Sequence, residues 1–247
     1  MILICILSYR RPLYLARTLE AFIHQNGEMF GDALRMIALD QCTSPETAAV
    51  FKAHQDCFEQ VYYTSDVNLG IGWGFSQLVE LSHLQEAEYL LFLEDDWLCQ
   101  VPLRKDLESI HRLFQACPRV GALRLRTVEA AVAAVNHVTL EQVQKEPWER
   151  DFLVGNYHYV FNPHLVRADV AQAMIPVSSE HHAQIRYNDL GLQAAQLLDR
   201  MFVHVGAQRA PGRISQVPRP EPVIPHTLIP GTDELFVPLP VREADQR

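Results

Sequence analysis

Lysine is scarce in this sequence: Lys52, Lys105 and Lys145 are the only three in 247 residues, and acidic residues outnumber basic ones by 30 to 21. No broad basic field is therefore available to hold nucleic acid by charge alone. The other basic groups are arginines, whose planar forks suit phosphate or carboxylate. Paired cysteines are lacking as well. The five thiols, Cys5, Cys42, Cys57, Cys99 and Cys117, are odd in number and show no CxxC spacing. That pattern fits reduced thiols in a cytoplasmic protein. No apolar run approaches the roughly 18 residues that a membrane-spanning helix needs, so peripheral contact is the most that is expected. The opening MILICILSYRRP carries its positive charges after the apolar run, which makes it a buried first strand rather than a signal peptide. What is present is an apolar fraction of 48%, enough for one substantial core or two small ones and too much for a disordered chain.

The pattern of the first hundred residues alternates strand and helix. Met1 to Leu7 is an unbroken apolar run, and Leu15, Leu19, Phe22 and Ile23 follow at helical spacing, ending before Asn26-Gly27. Leu34 to Leu39 repeats the strand signal, and Ser44-Pro45-Glu46 supplies an N-cap, a first-turn proline and an acid for a helix to about His54. Phe58 to Tyr63 reads as a short strand. The glycine-rich stretch Asn68 to Gly74 leads into a helix with Phe75, Leu78, Val79 and Leu81, and Tyr89 to Leu93 is a fourth strand. Such alternation implies a mainly parallel sheet with helices on both faces and ligands beyond the carboxyl ends of the strands. Ser8-Tyr9, Asp40, Asn68 and Glu94-Asp95-Asp96 all fall there.

The second half is less regular. It predicts a helix over Pro102 to Ala116, a strand at Gly121 to Leu125, an unassigned segment from Val128 to Trp148, and a strand at Phe152 to Phe161. Helices are expected at His164 to Met174 and Glu180 to Asp199, and a last strand at Met201 to Val205. Beyond Gly206, eight prolines from Pro211 to Pro240 predict an extended tail that wraps the domain or closes over the site. The expected organisation is one domain over 1–206, with a nucleotide-binding half at 1–98 and an acceptor-side half at 99–206, followed by the tail at 207–247.

Three consecutive carboxylates directly after an apolar strand are costly, because strand geometry sends neighbouring side chains to opposite faces and one charge must be buried. A hard divalent cation such as Mg2+ or Mn2+ resolves that cost and keeps positions open for substrate phosphates. The alternative is a solvated loop opening a helix, where acids favour the dipole.

Three stretches, ILICILSYRRPLYLARTLEAF, IALDQCTSPET and NLGIGWGFSQLVELSHLQEAEYLLFLEDDW, resemble the family 2-type glycosyltransferases of GT-A fold in the family's order. The last ends where that family has its DxD motif. Glu-Asp-Asp in this place is also similar to the N-acetylglucosaminyltransferases that extend mannose. The resemblance implies an α/β GT-A fold and a nucleoside-diphosphate sugar donor, UDP more than GDP. It implies donor contacts from Leu7, Ser8, Tyr9, Arg11, Asp40, Asn68, Gly70, Glu94 and Asp95, with Asp96 on the metal. FVHVG resembles the strand that supplies a further metal ligand, here His204, with Arg209 and Arg213 following as candidates to close over the diphosphate. Asn188-Asp189 resembles the acidic pair whose aspartate is the base, with Glu180, Glu149 and Asp151 as competitors. The family more often has Asp at the place of Glu94 and Gly at the place of Cys42.

The implied reaction is an inverting displacement in which the cation stabilises the leaving diphosphate and Asp189 deprotonates the acceptor hydroxyl. Trp73 and Trp97 are candidates to stack on sugar, and Tyr157, His158 and Asn162 to line the sugar side. GIGWG is not a dinucleotide loop, because it follows the third strand rather than the first. A sugar nucleotidyltransferase shares the sheet and metal, although Ser8 to Pro12 lacks the glycines its loop requires. A non-catalytic nucleotide-sugar-binding module is the remaining alternative.

Overall fold

The computed structural model describes residues 1–82, 87–125, 140–142, 152–155, 159–197, 201–206 and 234–239. Strand β1 (Ile2–Tyr9) lies between β2 (Leu34–Gln41) and β4 (Tyr89–Glu94), parallel to both, and β3 (Gln60–Tyr63) continues the parallel array outside β2. Ile2, Ile4 and Ile6 join one apolar cluster while Leu3, Cys5 and Leu7 join another. The unbroken apolar run thus reflects a period of two with both faces covered.

Helix α1 (Pro12–Asn26) starts on a proline and buries Leu15, Leu19 and Phe22 on the first face. Its neighbour α2 (Pro45–Ala53) opens with a capping box: Ser44 Oγ accepts from Thr47 N at 3.2 Å, and Ser44 N donates to Thr47 Oγ1 at 2.9 Å. The other face is covered by α3 (Gly70–Ser82), through Phe75, Leu78 and Val79. Helix α4 (Leu107–Ala116) returns to the first face with Ile110, Leu113 and Phe114.

Beyond the fourth strand the sheet becomes mixed. After the short β5 (Trp97–Cys99) come β6 (Val120–Arg124), β7 (Leu140–Gln142), β8 (Phe152–Gly155) and β9 (His164–Arg167), then β10 (Gln193–Leu197), β11 (Phe202–His204) and β12 (Phe236–Pro238). Among the described residues the main sheet runs β12-β3-β2-β1-β4-β9-β6-β10-β8-β7, with β5 and β11 forming a separate ribbon. Strand β9 runs antiparallel between β4 and β6, so β6 and β10 point the same way as β4.

Two expectations are corrected here. The segment His164–Arg167 is a central strand, with a helix only at Ala168–Met174. The helix from Glu180 stops at Asp189, where Gly191 has φ +66, and Gln193–Leu197 pairs into the sheet. Alanines and glutamines favour helix by intrinsic propensity, yet ladders on both sides of β10 override that preference. The tail's described piece, Phe236–Pro238, joins the edge of β3 in parallel, and Phe236 packs on Phe51. Proline is tolerated at such an edge. All five cysteines are free, and among the described residues no helix is long and apolar enough to cross a membrane.

Candidate active site

The register brings the carboxyl ends of β1, β2 and β4 level, with Leu7 beside Leu39 and Glu94, and Ser8 beside Asp40. A cavity of about 290 Å³ opens there. Leu7, Ser8, Tyr9 and Gln41 line it from the strands, Asn68, Gly70 and Ile71 from the start of α3, and Arg11 and Glu94 from the remaining side.

The three acids do different things. Asp95 is fully buried and accepts from Tyr9 N at 3.1 Å and Arg11 Nε at 3.2 Å, with Arg11 Nη2 on its other oxygen. Burial pushes its carboxyl up to about 6, against the pull of Arg11 and the Tyr9 amide. Arg11 thus meets part of the burial cost for which a cation is expected. Asp95 is turned inward and is not among the residues lining the cavity, whereas a donor contact is expected of it.

Asp96 is 5% exposed and shares its Oδ2 between Arg11 Nη1 and His204 Nε2, the latter at 3.3 Å. Its Oδ1 is buried with no hydrogen-bond partner among the described residues. The β5–β11 ribbon sets this geometry, because His204 pairs with Trp97 and Val205 N donates to Asp96 O at 2.9 Å. Gly206 is required beside it: a Cβ there would lie 2.1 Å from Asp96 Oδ2. Glu94 is raised to about 8, by burial first and then by the charge of Asp96.

These residues fit a divalent cation, since the buried Asp96 carboxylate has an imidazole nitrogen 3.3 Å from its Oδ2 and an Oδ1 without a partner among the described residues. Among the described residues no group of three or more His, Cys, Asp or Glu is arranged to hold a metal ion. A cation here therefore takes its other ligands from water or substrate oxygens, as Mg2+ commonly does.

Asp40 departs from its expected role. It is fully buried, with Ser8 Oγ donating to one oxygen at 2.5 Å and Thr47 Oγ1 to the other at 2.8 Å. Burial raises its pKa while those hydroxyls oppose the shift. Both oxygens are engaged in tying β1 to the start of α2, and the neighbouring Gln41 lines the cavity instead. Cys42 follows at φ 52, a left-handed conformation that glycine adopts more easily, which explains the family's preference at this place.

The glycines of GIGWG serve close packing. A Cβ on Gly72 would come within 2.1 Å of Ser179 N, and one on Gly74 within 2.7 Å of Leu7 Cδ1. Gly70, at φ +75, receives its turn from Asn68, whose Oδ1 accepts from Gly70 N at 2.8 Å.

Helix Glu180–Asp189 packs its first turn against α3 through that Gly72 contact. Glu180 is half-buried, accepts from Phe161 N at 3.0 Å, and its charge contributes to raising Glu94. Asp189 is exposed at the opposite end, roughly 13 Å along the axis at 1.5 Å per residue. It lies just before β10, where Gln193 N bonds Arg119 O at the amino edge of the parallel strands. The structure thus brings Glu180, not Asp189, toward the cavity. Trp97 is buried against the His204 ring at 4.6 Å and is closed to sugar stacking, while Trp73 is half-buried on α3 and Asn162 half-buried before β9. Arg209, Arg213, Glu149, Asp151, Tyr157 and His158 lie outside the described residues.

Residues 3–123 match the family described as Glycosyl transferase family 2. None of the curated proteins matches the sequence. Among solved structures, TarS of S. aureus in complex with UDP is 12% identical, with a TM-score of 0.57 over 81% of this chain and 59% of that one. The mannosyltransferase PcManGT from Pyrobaculum calidifontis, in complex with GDP-Man and Mn2+, is also 12% identical, with a TM-score of 0.55 over 85% of this chain and 58% of that one. A CMP:2-keto-3-deoxy-manno-octonic acid synthetase complexed with CTP is 17% identical at a TM-score of 0.50, over 83% of this chain and 94% of that one. This chain therefore spans less than two thirds of the two transferases' lengths. At such identities the likeness speaks for the fold. The family match over residues 3–123 and the sheet just described make the chain similar to the family 2-type glycosyltransferases, with their GT-A fold.

Proposed function

We propose that the protein is an inverting glycosyltransferase that uses a nucleoside-diphosphate sugar, UDP-linked by preference, with Asp96 and His204 holding Mn2+ or Mg2+. The observation that carries this reading is the buried Asp96 carboxylate, its Oδ1 without a hydrogen-bond partner among the described residues, held beside His204 and bonded to Arg11, which lines the strand-end cavity. A divalent ion bound there stabilises the charge that develops on the leaving diphosphate. Arg11 adds a guanidinium already aligned on the same carboxylates. Leu7, Ser8, Tyr9 and Asn68 enclose the nucleoside on the β2 side.

Glu180 is the base in this reading. One of its oxygens is fixed by Phe161 N, which leaves the other to take the proton from the acceptor hydroxyl as that oxygen bonds the anomeric carbon. The bond from that carbon to the diphosphate breaks on the opposite face, and the configuration inverts. Incubation with UDP-sugars tests the proposal through slow UDP release to water. Release should require Mn2+ or Mg2+ and stop in EDTA; release unaffected by EDTA contradicts the metal assignment.

The synthetase neighbour makes a sugar nucleotidyltransferase the second reading. That reaction would consume a nucleoside triphosphate and liberate pyrophosphate, so pyrophosphate from CTP or UTP with a sugar, without UDP release, would favour it.

A further inference from the structure

Gln41 ends β2 in the cavity wall and is only 2% exposed. Its Oε1 accepts from Leu69 N at 2.6 Å. A backbone N–H only donates, so this contact fixes which end of the amide is oxygen. The NH2 group must then point the other way, and among the described residues it has no hydrogen-bond partner.

The surroundings hold that orientation. Asp40, one residue earlier, is tied to Ser8 and Thr47, and Cys42, one residue later, has its N–H on Thr64 Oγ1 at 3.0 Å. The Asn68-to-Gly70 turn presents the Leu69 N–H to Gln41. The amide packs against α3 at Gly74, where a Cβ would lie in ordinary contact, 3.4 Å from Gln41 Nε2. A donor so placed on a rigid strand end has one orientation and offers a fixed partner to an acceptor in the cavity.

Position identifies the acceptor's source. Asp96, two residues past the Glu94 that lines the cavity, lies beyond β4, two strands from β2, which is roughly 10 Å at the usual strand spacing. A diphosphate at the Asp96 end therefore carries its nucleobase toward Gln41. We propose that Gln41 selects the nucleobase, donating its amide to a base carbonyl oxygen and so favouring uracil or guanine over cytosine or adenine. This inference rests on the nucleoside-diphosphate reading above. Cytosine and adenine present an amino group where uracil and guanine present that oxygen, and two donors facing each other leave both unsatisfied. Sites built around a buried hydrogen-bonding group reject the mismatched analogue strongly.

Calorimetric titration of UDP, CDP, GDP and ADP in the presence of Mn2+ tests it, with the protein and with Gln41→Glu. The substituted carboxylate still accepts from Leu69 N–H but cannot donate to the base. The protein should bind UDP above CDP, and GDP above ADP, by at least about tenfold, the equivalent of about 1.4 kcal/mol. Gln41→Glu should erase or reverse both preferences. Equal affinity for UDP and CDP in the protein, or an unchanged preference in the variant, overturns the inference. Titration of 4-thio-UDP needs no variant: the weaker sulfur acceptor should lower affinity at least about threefold against UDP if the contact is worth a typical hydrogen bond, and equal binding also overturns it. Failure of all four diphosphates to bind would instead overturn the donor reading itself, and the two failures are thereby distinguished.

Discussion

Arg11 stands between two carboxylates, and its removal leaves Asp95 buried with the Tyr9 amide and no cation beside it. Stranding one member of a buried pair costs about 3 kcal/mol or more. Arg11→Ala should therefore lose about that much stability in urea denaturation at pH 7, and a loss below about 0.5 kcal/mol would place the pair among weak surface bridges. His164 makes a different prediction. It is buried, donates from Nδ1 to Asn162 O at 2.8 Å, and accepts at Nε2 from Tyr159 OH at 2.6 Å. Burial depresses its pKa to about 4 from 6.5. Between those values the unfolded chain takes a proton that the folded one refuses, so stability is full above pH 6.5 and falls as pH drops toward 4. The full difference is about 3 kcal/mol at 1.36 kcal/mol per pH unit. His164→Gln should flatten that slope in denaturation curves from pH 7 to pH 4; a slope identical to that of the unaltered protein would contradict it. At this scale the sequence told which residues cluster but not which way they turn. Asp40 and Gln41 differ by one position, and pattern alone cannot say which faces the cavity when both are polar.

Orientation matters equally for whole elements. Glu180 and Asp189 are the two ends of one helix, and a sequence search for an acid near a helix start finds either until the helix boundaries are known. Ser179 supplies the deciding cap, accepting from His182 N at 3.1 Å, so the helix begins at Glu180. Glu180→Gln should lower UDP release by about 100-fold or more while leaving UDP affinity within about twofold, since a positioned base contributes at least that factor. Asp189→Asn should change neither, and the reverse pattern would move the base to Asp189. The β5–β11 ribbon carries a second element-scale prediction. Gly206→Ala drives a methyl into the Asp96 carboxylate. It should weaken Mn2+ affinity about tenfold or more through displacement of that one ligand, read by Mn2+ electron paramagnetic resonance; unchanged affinity would remove Asp96 from the metal site. The FVHVG stretch was legible as a strand bearing a histidine, but the need for its glycine was visible only once the carboxylate lay against it.

Across the molecule, the first half was readable because strand and helix alternate with clear periods and caps, and parallel order follows from that alternation. The second half hid its plan. Strand β9 is four residues long, β10 is alanine and glutamine up to its last residue, Leu197, and their pairing comes from neighbours distant in sequence. The acidic balance, with formal net charge −9, adds a whole-molecule constraint: an anionic diphosphate would approach a negative protein, so the proposed cation would offset that repulsion. Titration of UDP with and without Mn2+, in the protein and in Asp96→Asn, addresses this most directly. UDP should bind at least about tenfold tighter with Mn2+, and that gain should be lost when the carboxylate becomes an amide. UDP affinity indifferent to Mn2+, or a Mn2+ effect that survives Asp96→Asn, would contradict the metal assignment.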